Sequence, residues 1–338
     1  MPGNRDIVVF GAGILGLWQA LMLAHAGHHV RLVERSAEPF TASASRLAGA
    51  MLAADCEAEG AAPIVRALGR QSLEIWRAIY PGVTVAGTLV VAAARDRSEL
   101  NRFARMTEGH QRVDAGRIAT LEPDLGDRFA DGLLFAGEGH VETLHAMAFL
   151  LDAVRGAGVE VSLASKLEPE HVAAGAIVVD CRGLAARGEL ADLRGVRGER
   201  LVVATGEVRL ARPVRLLHPR HPLYVVPWGE GRYMIGATVI ESEDQGPATV
   251  RSALELLGLV YALHPAFGEA RILDMAAGVR PAFPDNAPRI IARGRHIHVN
   301  GAFRHGFLTA PALALHVAAY LATGAPDPAC MTIDQPLD

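Results

Sequence analysis

A chain of 338 residues, half of them hydrophobic and 21% charged, is long enough for about two packed domains and too apolar for a disordered one. Its formal net charge of -4 and pI near 6.4 lack the basic bias of a nucleic-acid or anionic-membrane binder. The three cysteines, Cys56, Cys181 and Cys330, are scattered without a CxxC pair, which fits a reducing compartment and neither a disulfide framework nor a zinc site.

The opening MPGNRDIVVFGAG is expected to enter a strand at once, with no room for a signal peptide. No apolar run is expected to reach the roughly 18 residues of a membrane span uninterrupted, so the expected location is the cytoplasm. Lys166 is the only lysine, so any single arginine carries less information than usual.

Residues 6–35, DIVVFGAGILGLWQALMLAHAGHHVRLVER, carry the strongest pattern. Residues 7–10 are a short apolar run suited to a buried parallel strand. Gly11, Gly13 and Gly16 form GxGxxG, a helix is predicted over 15–25, and a second strand over 30–33 closes on Glu34. In such a unit the first glycine permits a tight turn, the second lets backbone approach a pyrophosphate, and the third lets helix and strand pack closely. The helix N-terminus offers N–H groups to phosphate, and Glu34 is placed to accept from ribose hydroxyls while repelling a 2′-phosphate. This predicts a Rossmann-type site for an adenine dinucleotide; FAD and NAD both remain open on this stretch.

Residues 41–60, TASASRLAGAMLAADCEAEG, are mostly small. Ser43, Ser45, Ala48, Gly49 and Ala50 would let the backbone run against a flat ligand. A flexible linker is the plainer reading, but Leu47, Met51 and Leu52 would then have no purpose. Ile64, Leu68, Leu73 and Trp76 recur at helical spacing and predict an amphipathic helix over 63–80. Strands are predicted over 88–93 and 132–135 with a helix at 98–106 between them, then a glycine-closed helix over 139–158. GVEVSL and AIVVDCRG resemble returning strands of the first domain. From 201 the pattern turns antiparallel: LVVATGEVRL, then PLYVVPWGEGRYMIGATVI as two strands joined across WGEGR. A helix is predicted over 248–263.

The last segment, from about 272, is expected to return to the first domain. Residues 298–299 run into Gly301, a loop carries Arg304 and His305, and a helix is expected with Thr309 as N-cap, Pro311 early and Gly324 ending it. A second helix N-terminus is thus expected beside a glycine turn. His218, His221 and His264 each precede a proline without acidic partners at ligand spacing, so no metal site is expected there.

The opening βαβ unit, SRLAGAML, YVVP followed by GRYMIGAT, GVRPAFPDNAP and FRHGFLTAPA stand in the order found in one group of flavoenzymes. Over essentially its whole length the chain resembles FAD-dependent amino-acid oxidases of the D-amino-acid oxidase superfamily, and among them the ThiO-type glycine oxidases of thiamine biosynthesis. The resemblance implies an α/β fold: a glutathione-reductase-like FAD-binding domain of segments 1–80, 140–200 and 272–338, interrupted by an α+β substrate domain of 81–139 and 201–271 with an antiparallel sheet. It implies FAD contacts at Ile14 and Leu15 in the glycine loop, at Glu34 and Arg35, at Ala44 and Ser45, and at Leu167. Gly49, Ala50 and Met51 would line the isoalloxazine ring, and Gly301, Ala302, Phe303, Arg304, His305, Gly306, Phe307 and Leu308 would wrap it. Arg280 matches an arginine that pairs with the substrate carboxylate, Arg304 a second substrate-side arginine, and Tyr224 a pocket tyrosine. Where the family has VPR this chain has Val226-Pro227-Trp228, Ala50 replaces a glycine, and AADCE replaces a usual proline; these bear on pocket shape and substrate size.

The implied reaction asks little of side chains. The amine lone pair assists as the α-hydrogen leaves as hydride to flavin N5, and dioxygen regenerates the flavin and yields hydrogen peroxide. A bidentate arginine suits the orienting task. From pattern alone a surface arginine, a core tyrosine at 224 and a space-filling His305 stay open. Cys330 lies in a tail after Pro328, so FAD is expected to bind non-covalently. The expected partners are a small amino acid or amine and O2, with no nucleic acid or membrane; a homo-oligomer stays open. Rivals are an oxidase or dehydrogenase for sarcosine, proline-like or D-amino acids, and a flavin-binding subunit of a larger complex.

Overall fold

The computed structural model describes residues 4–220 and 222–337; His221 therefore lies outside the described residues. In chain order the first unit is β1 (Asp6–Phe10), α1 (Ile14–His25) and β2 (His29–Val33). There follow β3 (Met51–Leu52), α2 (Pro63–Ile79), β4 (Thr88–Ala92), α3 (Arg97–Met106), β5 (Gln111–Asp114), α4 (Ala115–Leu121), β6 (Asp131–Phe135) and β7 (Gly139–His140). Then come α5 (Thr143–Gly156), β8 (Glu160–Ser162), β9 (Ile177–Asp180), β10 (Arg194–Ala204), β11 (Val214–Leu217), β12 (Leu223–Pro227), β13 (Arg232–Gly236) and α6 (Val250–Leu263). The chain closes with β14 (Arg271–Ala282), β15 (Arg289–Arg293), β16 (His296–Asn300), α7 (Gly306–Thr323) and β17 (Met331–Gln335).

Two sheets carry the architecture. A seven-stranded sheet has the order β17-β15-β16-β9-β1-β2-β8, parallel from β16 to β8. Its central strands are buried apolar runs, with α1, α5 and α7 supplying apolar residues to the same core. An eight-stranded sheet, β14-β10-β13-β12-β11-β4-β6-β5, is antiparallel apart from the β4/β11 pair, and α6 and α4 share its core.

Three expectations are corrected here. The segment beginning at 272 does not return to the first sheet at once: β14 pairs with β10 along residues 194–204, so 194–200 and 271–282 both belong to the eight-stranded sheet and the crossing back comes at β15. Backbone pairing across these two long strands overrides the composition shift that suggested the boundary. The helix placed over 139–158 begins only at Thr143, because Gly139–His140 pairs with Met51–Leu52. The closing helix begins at Gly306, so Thr309 lies inside it, its hydroxyl donating to the carbonyl of His305 at 2.9 Å. Gly324 does end that helix, in the left-handed region at φ 72°.

Pro311 therefore sits in a helix interior, where it cannot donate to the carbonyl of Phe307. Trp76 on α2 takes over: its Nε1–H donates to that carbonyl at 2.8 Å. One residue on, the N–H of Ala312 donates to Ser72 Oγ at 3.1 Å. The amphipathic face of α2 thus repairs the break and fixes where the N-terminus of α7 points. With 18 residues and a mean hydropathy of 1.4, α7 also has the length and composition of a membrane span, although Thr309, His316 and Thr323 interrupt its apolar run. Its mostly buried surface, packed against α1 and α2, makes it a core helix.

Candidate active site

The two sheets meet along a cavity of about 600 Å³ that takes its wall from both ends of the chain. The carboxyl ends of β1 and β2 supply Gly11–Leu15 and Glu34–Arg35; β10, β12 and β14 supply Gly198, Tyr224 and Arg280; the entry to α7 supplies 302–308. Carboxyl ends of parallel strands are where open α/β sheets bind ligands. A shallower hollow of about 490 Å³ lies at the opposite ends, beside Asp6 and His29.

The nucleotide side is built from backbone. The N-cap Gly13 has no side chain to cover the first turn of α1, and Gly13, Ile14 and Leu15 line the cavity. Gly16 lies behind the wall: a Cβ there would come 1.8 Å from the carbonyl oxygen of Gly11, so only glycine lets helix and strand approach this closely. Glu34 holds the loop, accepting from the N–H groups of Ala12 at 2.8 Å and Ser36 at 2.9 Å. Ser45 Oγ accepts from the N–H of Ile14 at 3.1 Å and ties the 41–52 segment to the glycine turn. That segment is a packed wall rather than a linker: Thr143 Oγ1 donates to Ala48 O at 2.7 Å and Val141 N–H to Ala50 O at 3.1 Å. Ala44, Ser45, Gly49, Ala50, Met51 and Leu167 all line the cavity. Ala50 adopts φ 52°, a region that favours glycine. Gly301 does not line the cavity; it makes the positive-φ turn beside Phe283 that launches the 302–308 loop.

At the other end the wall is charged. Arg280 extends across β10, whose Gly198 leaves it room: a Cβ there would lie 2.0 Å from Arg280 Nη2. Its Nη1 donates to the carbonyl of Thr238 at 3.2 Å, and among the described residues no carboxylate pairs with it. Burial lowers its pKa to about 10, Tyr224 opposing and the neighbouring Arg304 reinforcing the shift, so it stays cationic at neutral pH. Burial raises the Tyr224 hydroxyl, which therefore remains protonated. Arg304, by contrast, is paired: Nη2 donates to Glu57 Oε2 at 3.3 Å. Glu57 also accepts from the buried Arg215 at 3.1 Å. Burial would raise the Glu57 carboxyl, but Arg304, Arg215 and His305 outweigh it and hold it at about 2. His305 is buried and held down to about 4 by desolvation, hence neutral near pH 7.

Among the wall residues missed from the sequence are two charged ones at the amine end, Glu57 and Arg200. Arg200 is buried; its Nη2 meets Asp274 at 2.8 Å, while Nε and Nη1 have no hydrogen-bond partner. Strand register could have found it: Arg200 stands two positions from Gly198 on β10, on the same face of the sheet. For Glu57 the acid after AADC carried no signal, since its partners come from 215 and 304.

Comparison with known proteins bears on the family and the fold. A family profile of FAD dependent oxidoreductases (DAO) matches residues 6–320. A Rhizobium etli protein that carries the name thiamine biosynthesis oxidoreductase ThiO is 51% identical over 320 residues, covering 94% of this chain and 96% of its own. A glycine oxidase of Bacillus licheniformis is 25% identical over 92% of this chain and 91% of its own. The fold matches the crystal structure of glycine oxidase from Geobacillus kaustophilus with a TM-score of 0.80, 22% identity and 96% coverage of each chain.

Proposed function

The chain belongs to the DAO family of FAD-dependent oxidoreductases, and from that premise we propose that it is a glycine oxidase acting in thiamine thiazole biosynthesis. It takes glycine, or an amino acid nearly as small, and O2 to the imino acid and hydrogen peroxide; hydrolysis then yields glyoxylate and ammonia. We place this reaction in the cytoplasm.

The cavity fits FAD: a glycine turn and helix tip at one end, a shelf of small residues along one side, and a second helix entry opposite. When bound, FAD supplies the two-electron acceptor. Gly13, Ile14 and Leu15 would hold its pyrophosphate, Glu34 its ribose, and 49–51 with 302–308 its ring system. The positive end of α7 would favour negative charge developing on that ring system. Binding is non-covalent, held by these backbone groups.

One observation carries the amino-acid reading: Arg280 is a desolvated cation at the cavity wall with no carboxylate of its own. A substrate carboxylate would supply the missing partner, and the guanidinium fork would fix the α-carbon's position. Tyr224, protonated beside it, donates a further hydrogen bond. Glu57 neutralises Arg304, so the site accepts one carboxylate without an excess of positive charge. Neutral His305 fills the wall and adds no positive charge there at pH 7.

A second reading follows from Arg200, whose buried Nε and Nη1 would suit an amine bearing two carboxylates. Anaerobic addition of glycine to the FAD-loaded protein tests the choice. Bleaching of the flavin absorbance by glycine is the expected result. Bleaching by iminodiacetate and not by glycine selects the second reading, and no bleaching by any small amino acid would sink both.

A further inference from the structure

Away from the cavity, His296 and His298 alternate along β16, so both rings leave the sheet on one face, where they stack with centroids 4.2 Å apart. Asp180, at the end of the neighbouring strand β9, stands in register with His298. Its Oδ2 lies 3.5 Å from His298 Nδ1 and 3.8 Å from His296 Nε2. Glu189 arrives from the segment after β9, with Oε2 3.5 Å from His298 Nε2 and 3.6 Å from His296 Nε2. These separations are long for hydrogen bonds. An imidazole gives one nitrogen to an ion. With His298 Nδ1 and His296 Nε2 as donors, the separations of 3.5, 3.8 and 3.6 Å approach the edge of a tetrahedron around a cation, since bonds of about 2.1 Å place neighbouring donors roughly 3.4 Å apart. His298 is 1% exposed, and neither its Nδ1 nor His296 Nε2 has a hydrogen-bond partner.

Charge points the same way. Arg182 Nη2 lies 2.7 Å from Asp180 Oδ2 and 2.7 Å from Glu189 Oε1, and its Nη1 reaches Glu168 at 3.1 Å. One guanidinium thus faces three carboxylates. Arg293 does not restore the balance, since it donates to the carbonyl of Glu189 and pairs with Asp334. The carboxylates therefore outnumber the facing guanidinium, in a pocket open to solvent at Glu189.

We propose that Asp180, Glu189, His296 and His298 form a binding site for a divalent metal ion of the zinc type. Two imidazole nitrogens with two carboxylate oxygens suit zinc better than magnesium or calcium, which prefer oxygen alone. Arg182 serves as the outer partner that orients both carboxylates. The ion clamps β9 and β16 to the 183–190 segment, whose Gly183, Leu184 and Ala185 line the cavity. It therefore stiffens that wall without entering the reaction. The sequence carries a signal for it, the alternating His-x-His of residues 296 and 298 in a strand.

The test is calorimetric titration of zinc chloride into chelator-stripped, FAD-loaded protein, with melting followed by flavin fluorescence. One equivalent should bind per chain, and zinc at about 100 times its Kd should raise the melting temperature by about 3–4 °C. The solvent-facing Glu189→Gln should weaken binding about 10-fold or more, as should His296→Gln, with the flavin spectrum unchanged. His316→Gln, at the separate cluster with Asp327 and Cys330, should bind zinc like the parent. No binding by the parent protein would overturn the proposal. So would binding that survives Glu189→Gln combined with His296→Gln, or that disappears with His316→Gln.

Discussion

The two ends of the cavity are made by different means. The nucleotide end comes from one continuous stretch, 6–35, whose function lies in backbone: a turn, a helix tip and a carboxylate that braces them. The amine end comes from side chains at 57, 200, 224, 280 and 304, on separate elements that meet only through the eight-stranded sheet and α7. A backbone site tolerates little steric change and depends weakly on any one functional group. A side-chain site can lose a group and keep its shape.

The largest effect should break the nucleotide end. Gly16→Val would drive a side chain into the Gly11 carbonyl, and we expect a loss above about 4 kcal/mol, seen as insoluble or colourless protein. A yellow, folded variant would show that the close approach is dispensable. Next, Arg280→Ala should lower kcat/KM for glycine roughly 100- to 1,000-fold with flavin content unchanged. Loss of FAD together with activity would erase the distinction between the two ends.

A smaller effect lies in pH. Burial holds both His140 and His305 at about 4 against an ordinary 6.5. Their folded-state values are depressed, so the unfolded chain binds more protons between those limits. The contribution of these two histidines is complete above pH 6.5 and should be lost as pH drops toward 4, by a few kcal/mol in urea melts. The buried Glu138 carboxyl, raised to about 8 by desolvation, acts in the opposite sense as pH rises from 4.5 toward 8. His305→Gln should flatten part of the histidine slope. The smallest effect belongs to Ala50→Gly: relief of the positive φ, set against a freer unfolded chain, should shift stability by less than about 1 kcal/mol, with kcat nearly unchanged. A loss of several kcal/mol would mean that the alanine methyl packs where a glycine cannot serve.

Much of the nucleotide end could be read in advance because glycine spacing and a strand-helix-strand pattern are local. Strand and helix placements in 6–35 came within about two residues of those observed. Arg280, Arg304 and Tyr224 came from resemblance, and the structure brings all three to one wall. It also divides their surroundings: Arg304 is bound to Glu57, and Arg280 has no carboxylate. The early start of α7 was hidden because Pro311 argues for a helix beginning near 309. Only the N–H of Trp76, 231 residues away, makes the longer helix tenable.

By itself, then, the order of residues determined the dinucleotide unit and the apolar strands, since each depends on neighbours a few positions apart, while the candidate side chains came from the order of motifs shared with a family. The tertiary structure decided which of the two arginines pairs with Glu57, where the chain passes between the sheets, and that four polar residues from β9, β16 and the 183–190 segment share one pocket. Those outcomes depend on desolvation and on pairing between distant groups, which arise only when the sheets close on one another.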